Sequence, residues 1–220
     1  MDSIKTTDLF DLSHPLAAGM LSACEYPWEA LGFIGKTIIS IGKMLDTDTY
    51  DYISENIWIA KSARVSPSAT ILAPCIICEN TQIRPGAYIR GNALVGKNAV
   101  VGNSTELKNC ILFDCVQVPH YNYVGDSILG YRAHMGAGAI TSNVKGDRTN
   151  IEVHGEQTYP TGLRKFGAML GDYSEVGCNT VLNPGAIIGR NTQVYPLSSV
   201  RGVIPADSIV KGTRGTYQKV

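Results

Sequence analysis

The chain has 220 residues, 44% of them hydrophobic and 17% charged, a balance typical of globular proteins. Its 19 basic and 19 acidic residues leave no net charge, so the totals give no support to a nucleic-acid-binding or membrane-surface role. Neither a signal peptide nor a membrane span is predicted, because the start is not basic and Lys36 and Lys43 interrupt the most apolar stretch. The 6 cysteines are too sparse for a disulfide scaffold, which favours a cytoplasmic protein with reduced thiols.

Residues 1–56 are predicted to form a helical N-terminal cap. Pro27 suits a first helical turn, and the apolar residues after it step by three and four positions, as on one face of a helix. Such a cap would cover the open end of the repeat that follows it. The apolar positions are Trp28, Leu31, Ile34, Ile38, Ile41 and Leu45.

A six-residue repeat dominates residues 57–205. A large aliphatic residue recurs at every sixth position, and a small residue follows four positions later. This period fits neither an α-helix nor a simple strand. It predicts three short strands that close a triangular coil, with coils stacked at about 4.8 Å. The first aliphatic series is Ile59, Val65, Ile71, Ile77, Ile83, Ile89, Val95, Val101 and Leu107, and the second is Leu170, Val176, Leu182, Ile188, Val194 and Val200.

The pattern breaks between these two series, and two loop insertions are predicted there, near residues 119–123 and 142–169. Loops that project from a rigid scaffold commonly carry function. After Pro205 the repeat ends, and residues 206–220 are assigned as a C-terminal tail.

Arg90 and Lys108 are eighteen positions apart, which puts them at equivalent places on adjacent coils. Stacked cations repel unless an anion lies between them, so the pair is either a phosphate site or two solvated cations near carboxylates such as Glu106. His120 is either a general base, since an imidazole accepts protons at neutral pH, or a loop histidine that only forms hydrogen bonds.

Residues 120–127 (HYNYVGDS) and 135–143 (MGAGAITSN) resemble a family signature. The signature marks the acetyltransferase domain of bifunctional N-acetylglucosamine-1-phosphate uridyltransferase and glucosamine-1-phosphate acetyltransferase. Residues 161–173 resemble the archaeal sugar-1-phosphate variant. The resemblance covers residues 57–205 and implies an all-β fold, a left-handed parallel β-helix of hexapeptide repeats. It also implies a homotrimer whose active sites are shared between neighbouring subunits.

The resemblance further implies an acetyl-CoA-dependent N-acetyltransferase that acts on an amino-sugar phosphate, with acetyl-CoA as cosubstrate and no metal required. His120 would be the catalytic base. The substrate-binding residues implied are Arg90, Lys108, Tyr123, Asn143 and Arg148, and the cofactor-binding residues are Gly136, Ala137 and Cys178. In this mechanism His120 accepts a proton from the sugar amine while coil backbone amides stabilise the oxyanion.

The chain departs from the family pattern at several positions. His134 replaces an asparagine, Cys178 replaces a serine, and Thr149 lies where the family often has a substrate lysine, for which Arg148 is the proposed substitute. The departures at His134 and Thr149 motivate the alternative function, a noncatalytic scaffold or sugar-nucleotide-binding protein. Nucleotide transfer itself is not expected, because the first 56 residues lack a Gly-x-Gly-Thr phosphate loop.

Two features of the sequence bear on metal binding. Cys75 and Cys78 have the spacing of a zinc or redox pair, but Cys75 falls on a small inward position and no second pair lies at zinc-ligand spacing, which favours packing. The γ-class carbonic anhydrases share the predicted fold, yet no two histidines here are five residues apart, as two of the zinc ligands are in that class. The sequence therefore predicts no metal site.

Overall fold

Four short helices precede the repeat in the computed structural model, which describes residues 3–212 and 215–219. None of the helices in these ranges is long and apolar enough to cross a membrane. The helices are α1 (Thr6–Leu9), α2 (Pro15–Leu21), a 3₁₀ helix (Pro27–Gly32) and α3 (Ile34–Gly42).

Short strands make up most of the remaining chain. They are β1 (Tyr50–Ser54), β2 (Ile57–Ala60), β3 (Arg64–Val65), β4 (Thr70–Ile71), β5 (Cys75–Ile77), β6 (Gln82–Ile83), β7 (Tyr88–Ile89), β8 (Ala93–Val95), β9 (Val100–Asn103), β10 (Glu106–Leu112), β11 (Gln117–His120), β12 (Tyr123–Leu129), β13 (His134–Met135), β14 (Ile140–Thr141), β15 (Glu152–His154), β16 (Thr158–Pro160), β17 (Ala168–Leu170), β18 (Glu175–Val176), β19 (Val181–Leu182), β20 (Ala186–Ile188), β21 (Gln193–Val194), β22 (Ser199–Val200), β23 (Val203–Ile204), β24 (Ser208–Val210) and β25 (Thr216–Gln218).

These strands wind into a left-handed parallel β-helix with three faces, which confirms the predicted fold. The covered face contains β2, β5, β8, the ends of β10 and β12, then β17, β20 and β23. The second face contains β3, β6, β9, β11, β13, β18, β21 and β24. The third face contains β4, β7, the beginnings of β10 and β12, then β14, β19 and β22. Most of the predicted inward residues, such as Ile77 and Ile89, are fully buried, whereas Ile59, Val65 and Ile71 of the first coil are partly buried.

Two successive coils in the middle of the chain are one residue shorter than the eighteen-residue coils that precede them. Ile77 pairs with Val95, eighteen positions on, whereas Leu107 pairs with Val124, seventeen positions on. In these coils β10 and β12 each run through from the third face to the covered face as one seven-residue strand. The missing residue at this corner shifts the phase of the repeat.

The loop insertion predicted near residues 119–123 is therefore wrong. β11 continues to His120 and β12 begins at Tyr123, so only Tyr121 and Asn122 form the corner between them. Tyr121 has a φ of 51°, a left-handed conformation that recurs at the corners of this coil. The break in the pattern came from the shortened coils and not from added chain.

A real insertion leaves the coil after β14 and returns at β17. It contains the antiparallel hairpin of β15 and β16. Ile151, Val153 and Phe166 are fully buried and hold the insertion against the coil. At Gly202, which has a φ of 71°, a Cβ atom would clash with the carbonyl oxygen of His154, so the hairpin approaches the coil backbone closely there.

The N-terminal helices lie along the side of the coil. The prediction that they close its open end is wrong. α3 packs against β5, β8 and β10, and the 3₁₀ helix packs against β12. The physical reason is that the outward residues of the covered face are apolar, so they require a cover of their own. Each of them is at most 1% exposed: Ile76, Leu94, Ile111, Ile128, Met169 and Ile187.

An antiparallel strand covers one edge at each end of the coil. β1 pairs with β2 at the first coil. Residues 1–56 were predicted to be helical, but their last part is therefore a strand. The coil also extends beyond residue 205, because β24 pairs in parallel with β21, and β25 then pairs antiparallel with β24. Paired edges present no open row of backbone donors and acceptors.

Candidate active site

A polar cluster surrounds Asp126, where β12 passes from the third face to the covered face. Lys108 Nζ donates to both carboxylate oxygens, at 2.9 and 3.1 Å. Asn109 Nδ2 donates to Oδ1 at 2.9 Å, and Asn143 Nδ2 donates to Oδ2 at 2.5 Å. The Asp126 side chain is 5% exposed, so these donors replace the water that a carboxylate would otherwise bind.

Tyr123 extends from the same strand toward this cluster. Its hydroxyl oxygen accepts a hydrogen bond from Asn143 Nδ2 at 3.2 Å. Burial raises the pKa of the Tyr123 phenol, and the Asp126 carboxylate raises this pKa further. The phenol therefore keeps its proton at neutral pH and can donate it to a ligand. Gly125 lies under the ring, where a Cβ atom would clash with the phenol oxygen.

The register puts Arg90 and Lys108 at equivalent positions of adjacent coils, as the spacing predicted, because Ile89 pairs with Leu107. Each cation has its own carboxylate partner. Arg90 Nη1 lies 2.7 Å from Glu106 Oε1 in an exposed pair, whereas Lys108 pairs with the buried Asp126. The two cations are thus held by carboxylates of different exposure, and their role in binding phosphate stays a prediction.

His120 lies at the corner between the second and third faces. Its ring is exposed and makes no hydrogen bond within the described residues. Its backbone is fixed: the N–H donates to Asn122 Oδ1 at 3.1 Å, and the carbonyl accepts from Gly138 N at 3.0 Å. The buried Asn122 amide also donates to the Gly136 carbonyl at 2.8 Å. The candidate base is therefore stacked on the glycine-rich corner of the next coil.

The three predicted cofactor-binding residues lie together along this corner. A Cβ atom at Gly136 would come within 2.8 Å of the Cys178 backbone nitrogen, and the Ala137 carbonyl accepts from Asn179 N at 2.8 Å. The Ala137 N–H has no acceptor in the described part of the chain. Gly136 and the exposed Cys178 border a groove of about 350 Å³ on the second face. The other lining residues are His134, Glu175, Val176, Gly177, Gln193, Val194, Tyr195 and Pro196.

His134, which stands in place of the family asparagine, has a partner on the next coil. Its Nδ1 atom lies 2.7 Å from Glu175 Oε2, and the two residues are paired in the strand register. The side chain therefore belongs to the wall of the groove.

The structure does not bring Arg148 into the cluster. Arg148 is exposed, in the turn that begins the insertion, where its N–H donates to the Lys145 carbonyl. Lys145 contacts Thr149 instead: its Nζ donates to the threonine hydroxyl at 2.7 Å. The insertion reaches the cluster by its other end, since Gly167 N donates to the Asp126 carbonyl at 2.8 Å.

The candidate site thus has two parts. The cluster of Lys108, Tyr123, Asp126 and Asn143 lies on one side, and the corner of His120 lies on the other. Tyr123, at the start of β12 on the third face, lies between the His120 corner and the rest of the cluster. Sequence reasoning missed Asp126 as a site residue, although it is the aspartate of the Gly-Asp pair in the recognised signature.

Two other features concern metals. Cys75 and Cys78 are buried free thiols, in agreement with a packing role, and burial raises the pKa of Cys78 to about 12. Across residues 3–212 and 215–219, no group of three His, Cys, Asp or Glu side chains is arranged to hold a metal ion.

The chain is similar to several known proteins. Residues 71–158 match the family described as the GMPPB C-terminal domain. The chain is 32% identical over 189 residues to the bifunctional protein GlmU of Methanococcus aeolicus, covering 77% of the chain and 46% of GlmU. It is 32% identical over 94 residues to the bifunctional sugar-1-phosphate nucleotidylyltransferase/acetyltransferase of Sulfurisphaera tokodaii, covering 42% of the chain and 23% of that protein.

Among solved structures, a hexapeptide transferase family protein from Anaplasma phagocytophilum matches with a TM-score of 0.40 at 16% identity, over 69% of this chain and 70% of that one. The chain spans about half the length of the curated relatives it matches over most of its sequence. The resemblance predicted from the sequence is confirmed, and the chain is related to the bifunctional GlmU and sugar-1-phosphate nucleotidylyltransferase/acetyltransferase proteins.

Proposed function

We propose that the chain transfers the acetyl group of acetyl-CoA to the amine of an amino-sugar phosphate such as glucosamine-1-phosphate. The observation that carries the proposal is the cluster of Lys108, Tyr123 and Asn143 around Asp126, in a chain related to a sugar-1-phosphate acetyltransferase. A cation, a protonated phenol and an amide are the groups expected to bind a phosphate and sugar hydroxyls.

In the proposed reaction the sugar amine attacks the thioester carbonyl carbon. The new C–N bond forms, the C–S bond breaks, and CoA leaves as the thiolate. His120 accepts the proton that the amine loses, because its exposed ring is unpartnered within the described residues. The free N–H of Ala137 is the proposed donor to the oxyanion.

Acetyl-CoA is proposed to lie in the groove bordered by Gly136 and Cys178, next to the corner of His120. The absence of a side chain at Gly136 lets the coils approach closely there. Holding the two substrates at neighbouring corners of the coil would supply much of the rate by proximity. A homotrimer that shares these sites between subunits is part of the proposal.

The experiment is a thiol-release assay with acetyl-CoA and glucosamine-1-phosphate, then galactosamine-1-phosphate. We expect free CoA thiol to accumulate with one of them. N-acetylglucosamine-1-phosphate is the matched control, because its amine is already acylated and should give no release. Absence of thiol release with both amino sugars would contradict the proposed function and favour the alternative, a noncatalytic scaffold or sugar-nucleotide-binding protein.

A further inference from the structure

Asp126 connects more parts of the candidate site than any single sugar-binding side chain does. Its carboxylate accepts from Lys108 and Asn109 of β10 and from Asn143 at the start of the insertion. Its carbonyl accepts from Gly167, at the end of the insertion. The residue is 3% exposed, so a substrate would meet the side chains that Asp126 holds before it met Asp126 itself.

Asp126 occupies a corner of the coil. Its φ of 49° lies in the left-handed region, as at many other corners of this coil, and aspartate and asparagine adopt this conformation more readily than most residues.

We propose that Asp126 is a positioning residue, which orients the Lys108 ammonium toward the substrate phosphate and the Asn143 amide toward the sugar. This inference rests on the proposed function. Two hydrogen bonds to one carboxylate fix the ammonium and leave its third donor without an acceptor in the described residues. The same carboxylate fixes the amide that donates to the Tyr123 hydroxyl.

The N-terminal segment supports this network through Asn109. Its Nδ2 atom donates to Asp126 Oδ1 at 2.9 Å and to the Leu31 carbonyl at 3.2 Å. The 3₁₀ helix that covers β12 is thus linked to the candidate site by one side chain.

The test is Asp126→Asn, since asparagine keeps the shape and tolerates the left-handed backbone. It presents an amide donor to the surrounding donors and removes the charge that holds Lys108. We expect KM for the amino-sugar phosphate to rise about tenfold, with KM for acetyl-CoA unchanged. The matched control is Asp207→Asn. Asp207 is also an aspartate at a left-handed corner that accepts from an asparagine amide, but it is exposed and far along the coil.

A second measurement does not depend on turnover. The full chain is treated with acetic anhydride, and the acetylation rate of Lys108 is read by mass spectrometry, with Lys97, paired to Glu79 at 2.8 Å, as internal reference. Asp126→Asn should speed acetylation of Lys108 several-fold and leave Lys97 unchanged. A wild-type chain inactive in the thiol assay would contradict the proposed function, while the Lys108 rate would still decide the positioning role.

If Asp126→Asn does not fold, Asn109→Gly takes its place, because glycine suits the φ of 50° at this position and removes the amide donor. Acetylation of Lys108 should then rise about twofold through the loss of one Asp126 contact. An unchanged Lys108 rate in whichever variant folds, or an unchanged sugar-phosphate KM in a folded, active Asp126→Asn, would overturn the inference.

Discussion

At the scale of single residues, His120 and the cluster around Asp126 separate two chemical roles. The exposed ring of His120 is suited to proton transfer, and its backbone is fixed by Asn122 and Gly138. The cluster is suited to holding a substrate, since hydrogen bonds among its side chains fix their orientations before a substrate binds. Substitutions in the two parts should therefore affect different kinetic constants.

For the first part we predict that His120→Ala lowers kcat by about 10²- to 10⁴-fold and leaves KM for the sugar phosphate nearly unchanged. The reason is that the ring contributes proton transfer and little ground-state binding. His154→Ala, which removes an exposed histidine of the inserted hairpin, is the control. Near-normal turnover of His120→Ala would show that another group is the base.

For the second part we predict that Arg90→Met and Lys108→Met both raise KM for the sugar phosphate but differ in stability. Lys108→Met leaves the buried Asp126 carboxylate without its cation, which costs about 1–3 kcal/mol in the free energy of unfolding. Arg90→Met breaks only an exposed pair and should leave that free energy nearly unchanged. Urea unfolding measures the difference, and equal stabilities would contradict it.

The thiols offer a test of the proposed CoA groove. Maleimide at neutral pH should modify the exposed Cys178 and spare Cys75 and Cys78, because burial raises the pKa of both inner thiols and hides them from the reagent. Saturating CoA should slow modification of Cys178 and not that of Cys115, which borders a neighbouring groove. Equal protection of both thiols, or of neither, would argue against CoA binding beside Gly136.

At the scale of elements, the fit of α3 on the covered face depends on small residues. Gly42 lies against the ring of Trp58, where a Cβ atom would clash. The two seventeen-residue coils matter in the same way. In them the continuous strands β10 and β12 turn one corner, and Lys108, Asn109 and Asp126 lie at that corner. One missing residue per coil therefore helps to build the cluster.

We predict that Gly42→Ala lowers the free energy of unfolding by about 1–3 kcal/mol, because the added methyl group must displace the Trp58 ring or the helix. Gly19→Ala is the matched control: nothing lies within 4 Å of its added methyl group in α2, so helix propensity should make it neutral or stabilising by about 0.5–1 kcal/mol. Calorimetric unfolding of both variants checks this. A Gly42→Ala variant as stable as its control would show that the contact relaxes freely.

At the scale of the whole molecule, the covered face is occupied by the chain's own N-terminal helices, while the outward positions of the second face stay largely polar and exposed. The proposed trimer therefore has to form through the second and third faces. We predict a trimer mass by light scattering at micromolar concentration, with thiol release lost on dilution below the assembly range. A monomer with full activity would contradict shared active sites.

The sequence by itself determined the parallel coil, because a six-residue period fixes which side chains enter the prism over many repeats. It also indicated that Arg90 and Lys108 occupy adjacent coils, since the repeat converts sequence spacing into spatial neighbours. Only the tertiary structure decided that the N-terminal helices cover a side face, that residues 119–123 form an ordinary corner, and that Asp126 holds Lys108 and Asn143 together. These outcomes depend on contacts between distant segments and on coil lengths that differ by one residue. The six-residue repeat of the sequence contains no information on either.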